Sequence, residues 1–352
     1  MVSTKPKKTW KTIILPVLGI LAFLIYLYFF NVDIPVIVDT IQRINVYIYF
    51  LAILLIFVEA FFYMLSWRSL LAYLSVRLSI VEAYLYVWYG TYMEIVIPTA
   101  SLSGEVSKLY LVTRAKSGVG GKVIATLVTQ RLIGTGMIIS SLIIGIGTLS
   151  TEGVRGLPFR LAFFFAVVTI LCLVLFIILC FKETWMLRIT NAVVRFVDYV
   201  SGRRWNLTKM KEDTVRALRE FHGSMKELRQ APQTLFLSIL LVSLSWLSGL
   251  SIAYLVLLAL DFPVQWGMII TACSISTVVP MRGLPEIAMT TIYALFGVPT
   301  EIGATATILT RIVTFWLKFF VGFAAQQWLE MRNIGASMNT IEEAETKNMF
   351  VF

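Results

Sequence analysis

Two glutamate–arginine pairs are the residues of this 352-residue chain best suited to chemistry. Arg131 follows Glu105 by 26 residues, and Arg311 follows Glu286 by 25 residues. All four lie in or beside strongly apolar stretches, where an ionisable side chain costs on the order of 2.5–3.5 kcal/mol by insertion scales. Costly charges at matching positions in two parts of the chain indicate either a binding site or a specific structural contact.

Arginine suits the binding of a phosphate in an apolar setting, because its planar fork donates two parallel hydrogen bonds and stays charged when buried. We predict that the two pairs meet in the folded protein and that their arginines hold one phosphate group, while the glutamates orient the arginines or accept a cationic amine of the ligand. The alternative is that each glutamate pairs with its arginine only to hold the local fold. The predicted substrate-binding set is Glu105, Arg131, Arg282, Glu286 and Arg311.

The two pairs belong to a wider internal repeat, in which residues 96–105 resemble residues 278–286. Proline disfavours helix at the residue before it, so each copy predicts a break in a helix. Irregular backbone at membrane depth is tolerated only when it is buried in protein or faces water, so two breaks imply a cavity near the membrane midplane. The predicted hinge residues are Pro98, Gly104, Pro280 and Pro285.

The elements that must position these residues follow from composition. Hydrophobic residues make up 58% of the chain and charged residues only 14%, against roughly 25% charged in a soluble domain. The apolar residues gather in blocks of about 20 residues, the length that crosses ~30 Å of hydrocarbon as a helix. These blocks lie near 11–30, 46–66, 81–97, 122–149, 158–181, 233–260, 264–280 and 300–328.

Charge decides how the blocks are threaded, because cytoplasmic loops are enriched in lysine and arginine. The loop after Pro98 is basic (Lys108, Arg114, Lys116, Lys122), whereas the loop after Pro280 holds Arg282 against Glu286 and Glu301. Two equivalent loops on opposite sides of the membrane must be separated by an odd number of membrane crossings. If all eight blocks crossed fully, four crossings would separate the two loops. If 81–116 and 264–297 are re-entrant hairpins, which enter and leave on the same side, three crossings separate them. We therefore predict an all-α polytopic membrane protein with about six full spans plus two re-entrant helical hairpins arranged as inverted repeats.

The domain organisation follows from this threading. The chain divides into five parts. Residues 1–45 form an N-terminal basic segment with the first transmembrane helix, and residues 46–149 form the first repeat with its re-entrant hairpin. Residues 150–232 hold a connecting span and basic cytoplasmic amphipathic helices, residues 233–330 form the second, inverted repeat, and residues 331–352 form a polar cytoplasmic tail. Both termini are expected in the cytoplasm of a multi-pass protein of the inner membrane. Segment 182–232 carries 11 basic against 6 acidic residues. Two helical apolar patterns recur there, and they predict helices that lie on the cytoplasmic face or pack on each other: Ile189, Val193, Phe196 and Val200, then Leu218, Phe221, Met225 and Leu228.

Several classes of function are disfavoured. The net charge of +10 lies at span ends, as expected for loops beside anionic lipid, so we expect no nucleic-acid partner. The chain has one histidine and three cysteines at no metal-ligand spacing, so we expect no metal and no cofactor. The sequence contains no Ser–His or Cys–His arrangement, no metal-spaced carboxylate cluster and no P-loop. We expect no enzyme.

Other intramembrane residues are weaker candidates. Glu59 and Glu94 could line the same cavity or pair locally, and Lys318 is seven residues beyond Arg311, on the same face of an α-helix. The aromatic run from Tyr84 to Tyr92 is interpreted as an interfacial belt and packing surface. Four glycines are predicted to allow close helix packing: Gly134, Gly136, Gly145 and Gly147.

At the repeated motifs the sequence resembles the membrane domain of the lysylphosphatidylglycerol synthase/flippase family. The resemblance rests on Pro98 with Ser103-Gly104-Glu105, the basic stretch to Arg114, Gln130-Arg131, Pro280, Pro285-Glu286, Gly297 and Arg311. It implies translocation of an anionic or modified phospholipid, or of a polyisoprenoid lipid, between leaflets. The soluble aminoacyl-transferase domain of full-length members is not in this sequence, so we expect a stand-alone member that does not make the lipid. Residues 281–286 depart from the more glycine-rich run of the family.

The resemblance leaves two other functions open: a membrane-embedded lipid-modifying enzyme, and a non-catalytic subunit of a lipid-modifying complex. The expected partners are membrane lipids, a second copy of the chain and a separate lipid-synthesising enzyme.

Overall fold

The computed structural model describes residues 35, 39, 41–97, 102–151, 156–181, 207–278 and 284–332. Within them the chain forms ten helices in sequence and no strand. They are α1 Val46–Tyr73, α2 Ile80–Val96, α3 Leu102–Ala115, α4 Gly120–Thr151, α5 Leu157–Phe181, α6 Leu207–Arg229, α7 Pro232–Ala259, α8 Trp266–Val278, α9 Leu284–Leu295 and α10 Thr300–Arg311, which continues through a π-helical segment Ile312–Leu317 to Arg332.

Four of these helices, α1, α4, α7 and α10, are long and apolar enough to cross a membrane. The 25 residues of α5 are also strongly apolar. Large apolar side chains cover the outside of the bundle, as on Phe236, Phe320 and Trp328, which are more than half exposed. An apolar outer surface on a helical bundle fits a lipid environment. The predicted all-α polytopic membrane fold is confirmed, while the predicted first span at 11–30 and the tail lie outside the described residues.

The centre of the bundle is the antiparallel pair α1 and α7. At one end the Asn45 N–H donates to the Ala259 carbonyl at 2.9 Å, and at the other the hydroxyls of Ser66 and Ser238 lie 2.6 Å apart. Both helices begin with ordinary start signals: the Asn45 side chain caps α1, and Pro232 occupies the first turn of α7. Since α1 opens the first repeat and α7 the second, equivalent helices run in opposite directions, and the repeats are inverted.

The hairpin α2–α3 opens at the end of the bundle where α1 terminates. Lys116 Nζ donates to the Arg77 carbonyl, and Lys122 Nζ donates to the Leu74 carbonyl at 3.2 Å. These contacts place the end of α3 and the start of α4 beside the turn between α1 and α2. Ser79 begins α2 with a reciprocal capping box to Glu82. We call this end of the bundle the first end.

The hairpin α8–α9 opens at the other end, the second end. Gly267, at the start of α8, packs against Thr148 near the end of α4, which has crossed the bundle from the first end. The last helix, α10, crosses back, because Arg332 reaches Glu82 at the first end. The two short-helix pairs therefore enter the bundle from opposite ends, as the charge argument predicted.

The two repeats are interlocked by their hairpins. Helix α2 of the first repeat packs on α10 of the second, where Gly322 lies against Trp88 and Tyr92. Helix α8 of the second repeat packs on α4 of the first, where Gly145 lies against Thr271. Each hairpin therefore contacts the last helix of the other repeat through a glycine that permits close approach.

Helix α6 packs onto the transmembrane bundle with its apolar face. The four predicted positions of this face, Leu218, Phe221, Met225 and Leu228, are buried against α1 and α4. Glu220 Oε2 accepts from the Gly121 N–H at 3.0 Å, at the start of α4, where the helix dipole favours an anion. The apolar face is thus covered by protein. The other predicted amphipathic helix, 189–200, lies outside the described residues.

Candidate functional site

The first intramembrane ion pair joins the hairpin of the first repeat to the following span. Arg131 Nη1, on α4, lies 2.8 Å from Glu105 Oε1, in the first turn of α3. The start of a helix favours a carboxylate there, so Glu105 is stabilised by the backbone as well as by the arginine. Their side chains are 37% and 21% exposed, so both can be reached from outside the protein core.

The second ion pair repeats this arrangement in the other half of the chain. Arg311 Nε, at the end of the α-helical part of α10, lies 2.9 Å from Glu286 Oε1, in the first turn of α9. The exposed fractions are 29% and 19%. The other carboxylate oxygen, Glu286 Oε2, is buried and has no hydrogen-bond partner among the described residues. That oxygen is free to accept a donor from a bound molecule.

Four of the five predicted binding residues therefore form the two ion pairs within their repeats, and the fifth, Arg282, lies outside the described residues. Whether the two pairs bind one molecule stays a prediction. The hinge prolines Pro98 and Pro280 also lie outside the described residues. Pro285 is the second residue of α9.

Gly104 lies inside the first turn of α3, which begins at Leu102. Its role as a hinge stays a prediction, because the residues just before the helix lie outside the described part of the chain. A Cβ at Gly104 would lie 2.7 Å from the carbonyl oxygen of Gly90 on α2. Glycine at both positions lets the two arms of the hairpin cross closely.

The charge argument predicts Lys108 in a loop, and this prediction is wrong. It lies on α3 with 5% exposure, one turn beyond Glu105, and its Nζ is 5.2 Å from the centre of the Tyr63 ring and 5.3 Å from that of Trp67. Aromatic faces attract a desolvated ammonium. The spacing of three residues from Glu105 on a helix was the signal that could have identified it.

A third intramembrane ion pair connects the two repeats. Lys318 Nζ, on α10, lies 3.0 Å from Glu59 Oε1, in the middle of α1. The side chains are 21% and 23% exposed, close to the values of the two glutamates in the hairpins. The sequence indicates both residues as weaker candidates. It does not predict that they pair with each other, because they are 259 positions apart.

The aromatic run of α2 packs between helices. Trp88 is 2% exposed, and its ring lies edge-on to Tyr84. The rings of Tyr92 and of Phe319 on α10 are 5.4 Å apart between their centres. The Tyr84 hydroxyl donates to the Phe57 carbonyl at 3.1 Å. This surface serves packing and also joins α2 to α10. Within the described parts of the chain, no group of three histidine, cysteine or acidic residues is placed to hold a metal ion.

Comparison with known proteins finds membrane proteins. The chain is 20% identical over 322 residues to the UPF0104 membrane protein PH1989 of Pyrococcus horikoshii, a match that covers 89% of this chain and 95% of that protein. It is also 20% identical over 269 residues to the UPF0104 membrane protein MJ1595 of Methanocaldococcus jannaschii, covering 74% and 78%. No solved structure matches the chain significantly. A family profile described as the lysylphosphatidylglycerol synthase TM region matches residues 13–322. The chain belongs to this family.

Proposed function

We propose that this protein moves a phosphate-bearing lipid between the two leaflets of the cell membrane. The lipid class is an anionic or modified phospholipid, or a polyisoprenoid lipid. The observation that carries the proposal is the pair of intramembrane ion pairs, Glu105–Arg131 and Glu286–Arg311, one in each inverted repeat and each partly exposed. The family's description names a membrane region associated with lipid chemistry and adds support at that coarser level.

The chemistry of the proposal is exchange of one anion for another. In the empty protein a glutamate carboxylate neutralises each arginine, and a lipid phosphate would replace or share that contact. Both are oxyanions that accept the two parallel donors of a guanidinium, so the arginine remains satisfied throughout. An arginine inside a bilayer that always has an anionic partner avoids the cost of a bare buried charge.

Inversion supplies a route between leaflets. Because the hairpins open at opposite ends of the bundle, the proposal places one phosphate site toward each leaflet. Rocking of one repeat against the other would then expose the two sites alternately. The interlocked packing of α2 on α10 and of α8 on α4 favours a concerted motion, since each hairpin packs on the last helix of the other repeat.

The proposed orientation puts the first end of the bundle in the cytoplasm. The described basic residues near this end outnumber the acidic ones, and cytoplasmic ends of membrane proteins are basic. They include Arg77, Arg114, Lys116, Lys122, Arg216, Arg219, Lys226, Arg229 and Arg332. The chain would then have both termini in the cytoplasm, and a separate enzyme would make the lipid that it transports.

The test is a leaflet-selective quenching experiment. Purified protein is placed in phosphatidylcholine vesicles that contain a trace of phosphatidylglycerol with a fluorescent label on its acyl chain. Dithionite, which quenches the label only in the outer leaflet, is then added outside. We expect quenching of the inner-leaflet fraction that is protected in protein-free vesicles. Protection equal to that of empty vesicles would contradict the proposal, and chemical change of the lipid in detergent would favour a lipid-modifying enzyme.

A further inference from the structure

The Glu59–Lys318 ion pair lies at the centre of the inverted repeat. Counted from the starts of α1 and α7, Glu59 and Ser245 occupy equivalent positions. The Ser245 hydroxyl donates to the Glu59 carbonyl oxygen at 3.0 Å. A residue that contacts its own counterpart across an antiparallel helix pair lies at the two-fold axis relating the two helices. Glu59 therefore stands midway between the two hairpins.

The pair itself breaks the symmetry of the repeats. The counterpart of Glu59 is Ser245, and the position equivalent to Lys318, counted from the paired arginines, is Ile138. Neither counterpart is charged, so only one such pair forms between these equivalent positions. A contact that only stabilises the fold of a repeat would be expected once in each repeat. A single contact at the symmetry axis instead serves both repeats.

The backbone of α10 is altered beside this pair. In a regular α-helix Lys318 would share a face with Arg311, seven residues earlier. The π-helical segment Ile312–Leu317 lies between them, and Arg311 pairs with Glu286 on α9 whereas Lys318 pairs with Glu59 on α1. Single π-helical turns are rare and are frequent at functional sites.

We infer that Lys318 is a third phosphate-binding cation, placed between Arg131 and Arg311, and that Glu59 is its counter-charge in the empty protein. The inference rests on the proposed function. A lysine suits a transit position, because a flexible ammonium with rotatable donors holds a phosphate without the bidentate geometry of arginine. The lipid phosphate leaves one arginine, displaces Glu59 from Lys318, and passes to the other arginine.

This role predicts that both substitutions lower the translocation rate but that only the Glu59 substitution changes the apparent lipid affinity. Lys318→Met removes the transit cation, so the translocation rate at saturating lipid falls about tenfold or more, while binding to the arginines remains. Glu59→Gln removes the competitor of the phosphate, so the apparent KM falls, and the rate at saturation also falls because the lipid is held at Lys318. A purely structural pair would instead give two variants with similar losses of thermal stability and unchanged KM.

The experiment measures initial translocation rates of fluorescent phosphatidylglycerol over a range of lipid fractions, together with melting shifts caused by a short-chain phosphatidylglycerol. The double variant Glu59→Gln/Lys318→Met leaves no unpaired charge, so it separates loss of fold from loss of transit, and it should show the low rate of Lys318→Met. The control is Arg43→Gln, which removes an ion pair to Asp39 on the exposed surface.

The outcomes separate this inference from the proposed function. The transit role alone would be overturned if the wild-type protein moves lipid but Lys318→Met has an unchanged rate. An unchanged KM in Glu59→Gln would overturn it as well. Absence of both translocation and a lipid-induced melting shift in the wild-type protein would overturn the proposed function, and the transit role with it.

Discussion

Replacing Arg131 or Arg311 with glutamine is expected to lower lipid translocation at least roughly a hundredfold, since each charged hydrogen bond to phosphate contributes ~1.5–3 kcal/mol and each arginine can make two. Either substitution alone should suffice, because a lipid that crosses the membrane must use both sites. The measurement is the initial rate of dithionite quenching in vesicles that contain equal amounts of folded protein.

Two further variants keep this prediction independent of folding. Arg131→Lys keeps the charge and loses the planar fork, so we expect an intermediate rate with a normal melting temperature. Glu105→Gln/Arg131→Gln removes both charges of the first pair and avoids an unpaired carboxylate in the membrane. A folded double variant that moved lipid at the wild-type rate would show that the ion pairs only hold the hairpins.

The second large effect is expected from Gly322→Ala, which should destabilise the protein by about 1–3 kcal/mol through overpacking. A Cβ there would lie 2.6 Å from the Tyr92 Cβ and 2.7 Å from the Trp88 carbonyl oxygen, and neither backbone-linked atom can rotate away. The contact joins α10 of one repeat to α2 of the other. The melting midpoint in detergent should fall by several degrees.

The matched control for this variant is Gly134→Ala on α4. A Cβ at Gly134 would meet nothing within 4 Å, and alanine has the higher helix propensity, so stability should be unchanged or slightly raised. Equal melting temperatures for Gly322→Ala and Gly134→Ala would mean that α2 and α10 are not in close contact.

The hairpins could be predicted from sequence because their signals are local. Proline, the paired glutamate–arginine spacing and the basic residues beside the first motif each limit the possible threading, and together they require re-entrant segments. The amphipathic pattern at 218–228 likewise predicted which face of α6 is buried. In each case a short stretch of chain carries the whole physical reason.

Residue-level errors arose where burial depends on partners distant in sequence. Lys108 counts as a loop charge by its neighbours, yet it is buried because Tyr63 and Trp67 come from another helix. The glycine prediction was correct for Gly145, which contacts Thr271, while Gly134, Gly136 and Gly147 have nothing within 4 Å of a would-be Cβ. Helical periodicity reports which residues share a face, but it does not report what that face meets.

The central ion pair was hidden for a further reason. Regular α-helical geometry puts Lys318 on the face of Arg311, and a sequence pattern gives no sign that one extra residue will be accommodated as a π-helical turn. The interlocking of the hairpins with the opposite repeat is equally invisible in sequence, because the motifs determine each repeat separately and leave their mutual packing open.

Opposite orientation of the two hairpins is the claim on which the transport route depends, and cysteine accessibility tests it most directly. Single cysteines are placed at Ser117, exposed after α3, and at Pro299, exposed before α10, in a protein without its native cysteines. A membrane-impermeant maleimide should label position 117 only from the cytoplasmic side and position 299 only from the outside. Labelling of both positions from the same side would contradict the inverted arrangement.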